Sequence, residues 1–447
     1  THIVAAFNPL IQGSPQAEGY EPVVLFKAYS GNVSYRAIGG SFQTAANGAG
    51  TCTVTNTASA TLTLPDQADG ILAGNGAAFS ANGEFDSDIK AAWLYWFASA
   101  STDLPNINGG GTVNGQTPAD FDNVTLTSPD GNGGTNVTSI TADDIFYIDD
   151  ITGYDLDYYS AFKDVTEVLV GSDNELTGSD ENPNGEYTVT NLALDAGLPW
   201  TTPGACAGGF ALIVIYENPY EQLRAINLFH GFQPFLNSAF TLVPRNFRVA
   251  DRNTDRNEPN GQISHITVEG DAGLGGANEG LTLQSDPTDF DPTTFSALTT
   301  DFNPLTEEFN GTITRPIYTL QDIVPAGLGD PTEYAYIFKP TAPEGDEVDG
   351  NPSNGYELDF PNPTETPFSH PEPAFTQYGT SYGLDIDTHF IDGDEPGDPL
   401  YLFADPTDLS EDITTRYSAD GDLVLLVAEI ISVTNDDMAD IEVTITE

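Results

Sequence analysis

The sequence predicts an all-β fold: an antiparallel β-sandwich of jelly-roll-like character, one large body or two lobes, with long loops and an extended N-terminal arm. Three observations predict it. Gly (44) and Pro (31) are abundant, and long segments lack a 3.6-residue period, which favours many short strands joined by turns. Two apolar runs, Phe210–Tyr216 and Leu223–Phe229, the first of them continuous, flank the turn residues Glu217, Asn218 and Pro219. Each has strand length and is rich in Ile, Val, Leu, Tyr and Phe, so the pair reads as a central hairpin whose first strand lies mid-core. Finally, Tyr187–Leu194 and the segment from Ile441 to Glu447 alternate with period two.

Residues 1–20 form an arm: Ile3, Val4, Ala5, Ala6 and Phe7 are apolar, and Asn8-Pro9 and Gly13-Ser14-Pro15 then break the strand pattern. Such a segment can fold back as an edge strand or complete a neighbour's sheet by strand addition. The body begins at Val23–Ala28. Ala91–Phe97 carries two of the three Trp and reads as a core strand. Phe121–Leu126 and Ile145–Ile148 read as strands, and Tyr154–Val170 as a strand or short helix. Residues 21–245 make a lobe containing the central hairpin. Residues 246–447 make a second lobe or complete the same sandwich, with Phe240–Val249 and Ile263–Val268 as a further strand pair. Residues 286–373, rich in Pro, Gly, Asp and Thr, read as long decorated loops. Tyr382–Ile391 and Leu423–Val433 restore the strand pattern. No 20–50-residue repeat is seen, which disfavours solenoids and propellers.

Charge excludes whole classes of function. Twelve Lys and Arg against 68 Asp and Glu give a formal charge of −56. Nucleic acid and anionic membranes are repelled by such a surface. A compact state this anionic calls for screening by salt or bound cations, so a saline extracellular setting is expected. No apolar run approaches the roughly 20 residues of a membrane helix. The two cysteines, Cys52 and Cys206, suggest one disulfide in a secreted chain, with two thiols as the alternative. Closing so long a loop is worth roughly 4–5 kcal/mol in the chain-entropy model. The first residue is Thr1, with no apolar leader after it, as expected once a signal peptide has been removed.

A set of motifs carries a resemblance. In order they are VLFKAYSGNVSYRAIGGSF (Val24–Phe42), AAWLYWFAS (Ala91–Ser99), YYSAFKDVTEVL (Tyr158–Leu169), a Cys before FALIVIYENP (Phe210–Pro219), LRAINLFHGF (Leu223–Phe232), YGLDIDTHFI (Tyr382–Ile391) and TTRYSADGDLVLLVAEIISVTN (Thr414–Asn435). Over roughly Val24 to Asn435 the chain resembles a family of secreted bacterial and archaeal surface proteins. These are adhesin-like or structural modules of β-sandwich type. The resemblance implies a cell-surface role; its motifs are core and turn motifs and imply no catalytic residue.

Chemistry-bearing patterns are sparse. Gly379, Ser381 and Gly383 fit G-x-S-x-G, with Asp385 and His389 after them. A nucleophile elbow needs a strand before and a helix after, whereas a strand follows here. Asp251, Asn253 and Asp255 resemble the odd-position oxygen ligands of a Ca²⁺ loop but lack the Gly and Glu of an EF-hand. Asp143, Asp144, Asp149 and Asp150, and Asp385, Asp387, Asp392 and Asp394, are further acidic clusters. No two His are spaced like zinc ligands on one element. Asn32, Asn123, Asn136 and Asn310 lie in glycosylation sequons.

The expectation is therefore a non-enzymatic, extracellular structural protein that polymerises with copies of itself into a pilus-like filament or surface layer. Ile3–Phe7 would be the donated strand. No cofactor is required, Ca²⁺ being an optional ligand. The rivals are a monomeric adhesin with a glycan ligand and a secreted hydrolase acting through Ser381.

Overall fold

The computed structural model describes residues 20–44, 53–64, 87–100, 121–130, 133–148, 156–170, 183–196, 206–218, 221, 223–244, 261–268, 279–284, 296–298, 308–309, 311, 313–316, 318–323, 335–340, 356–358, 383–391, 414–420 and 422–434. In chain order the elements are β1 (Glu21–Gly31), β2 (Val33–Ser41), β3 (Thr57–Leu62), β4 (Asp88–Ala100), β5 (Asn123–Pro129), β6 (Thr135–Thr141), β7 (Asp144–Ile148), β8 (Asp157–Asp164), α1 (Thr166–Val170) and β9 (Gly185–Thr190). Then come β10 (Gly208–Glu217), β11 (Arg224–Phe235), β12 (Ser238–Leu242), β13 (Gly261–Val268), β14 (Gly280–Gln284), β15 (Ser296–Ala297) and β16 (Ile313–Pro316). The last are β17 (Tyr318–Ile323), β18 (Ala335–Pro340), β19 (Tyr356–Leu358), β20 (Leu384–Ile391), β21 (Thr414–Ala419) and β22 (Val424–Thr434). The described fold is all-β and sandwich-like. No described helix is long and apolar enough to cross a membrane.

Four sheets stack into layers. The two inner ones have orders β1-β11-β22-β13-β20-β16-β19 and β2-β10-β4-β8-β7; the outer ones are β3-β9-β5-β6 and β12-β21-β14-β15. A separate two-stranded ribbon joins β17 and β18. Among the described pairings only β16–β20 is parallel. The layer order follows from where alternate side chains go. On β10, Phe210, Leu212, Val214 and Tyr216 join β3, β5 and β9 residues in one core. Its Ala211, Ile213 and Ile215 join β11, β13, β20 and β22 in a second. The opposite face of the seven-stranded sheet makes a third core with Phe240, Leu242, Leu281 and Tyr417 of the far outer sheet.

Both inner sheets are thus covered on two faces. That is why β10, β11 and β22 are buried along nearly their whole length instead of at alternate positions. Burying each large apolar side chain contributes about 1.5–3 kcal/mol.

The central hairpin expected at Phe210–Phe235 does not exist. β10 does lie mid-sheet, but it pairs with β2 and β4, while β11 pairs with β1 and β22 in the facing layer. The link between them is an arch from one sheet to the next. Strands apolar on both faces need cover on both, and an arch places two such strands in stacked central positions. β1 and β2 are joined the same way, through Gly31 at φ +137°, a conformation that favours glycine. The two arches clasp each other: the Asn218 N–H donates to the Asn32 carbonyl at 2.9 Å, and Asn32 Nδ2 donates to the Glu221 carbonyl at 2.7 Å. The second expected pair also fails. β12 pairs with β21, whereas β13 pairs with β20 and β22. Tyr154–Val170 holds both alternatives in succession, β8 then α1. Strands from both expected lobes share the seven-stranded sheet.

Candidate functional site

The polar centre of the molecule grows out of the alternation in β20, LDIDTHFI. Leu384 and Ile386 face the five-stranded sheet. Asp385, Asp387 and His389 take the other face, with Ile391, which packs in the core beneath the outer β12-β21-β14-β15 sheet. Register then assembles a row. His265 of β13 stands opposite Asp387 on one side and Glu429 of β22 on the other, and Thr314 of β16 stands opposite Asp387. Glu429, His265, Asp387 and Thr314 therefore cross four neighbouring strands in line. His389 sits one step along, opposite Ile263.

All of these are buried, as is Glu308, which precedes β16 and closes over the row. His389 Nε2 lies 2.7 Å from Glu308 Oε1, and His265 Nδ1 lies 3.9 Å from the same oxygen. His265 Nε2 is 3.4 Å from Asp387 Oδ2. Thr314 Oγ1 donates to Asp387 Oδ1 at 2.6 Å. The Gly311 N–H donates to Asp385 Oδ1 at 2.7 Å, and the Phe309 N–H to Glu279 Oε1 at 3.2 Å. These two bonds fix the segment that carries Glu308. Aromatic rings wall the cluster: Phe309 is 5.5 Å and Tyr417 6.1 Å from the His265 ring, and the two imidazoles lie 6.1 Å apart, nearly parallel.

Electrostatics here depend on partners. Burial alone lowers the pKa of His389, yet the charge of Glu308, its hydrogen bond and the charge of Asp387 raise it above the ordinary value. Burial pushes the Glu429 carboxyl up to about 7 despite a 2.6 Å hydrogen bond from the Tyr417 hydroxyl. Tyr417 is raised well above the usual phenol range, first by burial and then by Glu429. Neither ring nitrogen of His265 makes a hydrogen bond, and neither does His389 Nδ1. A buried, unsatisfied polar group costs about 1–3 kcal/mol. One donor atom from each of His265, Glu308 and His389 lies within 4.8 Å of the others. Two imidazoles and a carboxylate converging this closely are a metal-ligating donor set.

The sites expected from sequence fall elsewhere. Ile3–Phe7, the loop of Asp251, Asn253 and Asp255, and Cys52, Asn310 and Ser381 lie outside the described residues. So do Asp149, Asp150, Asp392 and Asp394. Cys206 is buried just before β10, where its carbonyl accepts a hydrogen bond from Gln43 Nε2. Asn32 holds the arch clasp. Asn123 Nδ2 donates to Asp122, and Asn136 is exposed on β6. Asp143 is paired with Lys163 at an exposed site. Asp385 and Asp387, read from the sequence as part of an acidic cluster, are fully buried within β20.

Sequence reading missed His265, Glu308 and Glu429. Spacing along one element offers no zinc-like pair of histidines, whereas register sets His265 and His389 diagonally adjacent on two neighbouring strands. The available signal was ionisable residues at alternate positions of LDIDTHFI and a histidine inside a second strand of the same length, GQISHITV. No protein-family model matches the chain, and no curated protein matches it either.

Proposed function

We propose that the protein is an extracellular structural subunit that assembles with copies of itself by β-strand complementation. One observation carries this reading. β1 closes one edge of the seven-stranded sheet, comes directly after the arm, and exposes Val24 (53 %) and Leu25 (40 %). An edge strand with apolar outward side chains is a template for an added strand. Ile3–Phe7 of a neighbouring copy has the length and apolar character to fill it. A head-to-tail contact of this kind propagates into a filament. The charge of −56 keeps assembled subunits soluble and makes their contact salt-dependent.

A Cys52–Cys206 disulfide belongs to the same reading. It is supported by Gln43, which bridges to Val54, two residues after Cys52 in sequence, while donating to the Cys206 carbonyl. Thr53 and Phe42 extend the contact: the Thr44 N–H donates to Thr53 at 2.9 Å and the Phe42 N–H to Gly208 at 2.8 Å.

The test is deletion of residues 1–10. Filaments of the full chain in saline buffer, seen by electron microscopy, and a folded monomer after deletion are the expected results. Polymerisation of the truncated chain, or a full chain that stays monomeric, removes the proposal.

A further inference from the structure

We propose that His265, His389 and Glu308 form a buried structural site for a divalent transition-metal ion of the zinc class. The donor set selects the ion. Imidazole nitrogens with one carboxylate suit zinc and its neighbours, whereas Ca²⁺ and Mg²⁺ take shells of oxygen. Distances fit as well. A tetrahedral zinc with bonds of about 2.0–2.1 Å sets its donors about 3.4 Å apart. The two separations from Glu308 Oε1, 2.7 Å to His389 Nε2 and 3.9 Å to His265 Nδ1, bracket that value.

The tautomer of His265 is specified by its surroundings. Its Nε2 points at Asp387 Oδ2, 3.4 Å away, which leaves Nδ1 to the ion. Asp387 is itself held by Thr314 Oγ1. Carboxylate to imidazole to metal is the arrangement that orients ligating histidines and raises their basicity. His265 is fully buried with two ring nitrogens that make no hydrogen bond. An ion on one and Asp387 on the other accounts for both. Charge also closes: a divalent ion offsets the Glu308 and Asp387 carboxylates. The ion would tie β13, β20 and the Glu308 segment into one unit beneath the outer sheet, so its role is to hold layers together.

The full-length protein, made in zinc-supplemented medium and dialysed, tests this by elemental analysis. About one equivalent of zinc per chain is expected for a site of this class; less than about a tenth overturns the proposal. In the double variant His265→Asn, Glu308→Gln the content is expected to fall at least about tenfold, and full retention overturns it. Zinc-edge X-ray absorption on the unaltered protein reads the donors directly and does not depend on the variant folding. Two imidazoles and a carboxylate support the site; a sulfur-containing or all-oxygen set overturns it.

Discussion

Two buried histidines sit on opposite sides of the seven-stranded sheet, and their chemistry diverges. His230 of β11 lies in the layer shared with the five-stranded sheet. Phe26 stacks on it at 3.8 Å, and Phe162 and Phe146 stand edge-on at 4.6 and 5.5 Å. Burial, aided by the charge of Lys27, lowers its pKa to about 4, so it is a neutral ring among rings. His389 lies in the other layer, against Glu308 and Asp387, and its pKa is raised. Burial lowers both; only the carboxylates reverse the sign. One interior is therefore held by aromatic packing, and the other by a charged network whose members need one another.

The largest expected effect sharpens the first half of that contrast. Phe162 touches Phe26, Trp93, Tyr95, Phe146 and His230. Phe162→Ala should cost about 3–5 kcal/mol in denaturant unfolding, through lost transfer energy and the cavity left behind. A loss under about 1 kcal/mol would mean that this layer collapses freely and is not jigsaw-packed.

pH dependence separates the layers next. The folded pKa of Glu429, about 7, exceeds its value of 4.5 in an ordinary setting. The unfolded chain ionises first, so stability is full below pH 4.5 and is lost as pH rises to about 7, by roughly 3 kcal/mol. Glu429→Gln should abolish that slope and leave the variant more stable than the parent at pH 8. His230 works in the opposite direction. Its folded pKa lies below the ordinary 6.5, so stability is full above pH 6.5 and falls by roughly 3 kcal/mol as pH drops to about 4. His230→Phe should remove that second slope alone. Unfolding free energies across pH 4–8 for the three proteins check both signs. If one substitution flattened both limbs, the two interiors would not be electrically independent.

The smallest effect concerns the clasp that keeps the inner sheets in step. Asn32→Ala leaves the Glu221 carbonyl without its 2.7 Å donor and should cost about 1–2 kcal/mol. The thermal midpoint would fall by a few degrees. No change would show that the arches are held by their strands alone.

Much of the fold was legible because apolar runs of strand length do become strands; β4, β10, β11, β20 and β22 all occur where the pattern puts them. Pairing was less legible. Glu217, Asn218 and Pro219 look the same in a hairpin turn and in an arch, since both reverse the chain with the same residues. The deciding clue was that Phe210–Tyr216 of β10 is apolar at every position, which a two-layer sandwich with one solvated side would not require. The polar cluster was hidden by a related assumption. Alternation in LDIDTHFI reads as one wet face, but a fourth layer covers that face, so Asp385, Asp387 and His389 become interior. Glu308 carried no local signal at all; it reaches the site through a covering segment 81 residues before His389.

The position of β22 has a consequence for how the molecule is made. It is the last described strand in the chain, yet it inserts between β11 and β13 in the middle of its sheet. As the polypeptide emerges, two long hydrophobic edges must wait for a partner that is synthesised more than a hundred and fifty residues later. Folding is then gated by the synthesis of β22, because pairings so distant in sequence form slowly. A product interrupted before Val424 would be an aggregation hazard instead of a smaller working unit.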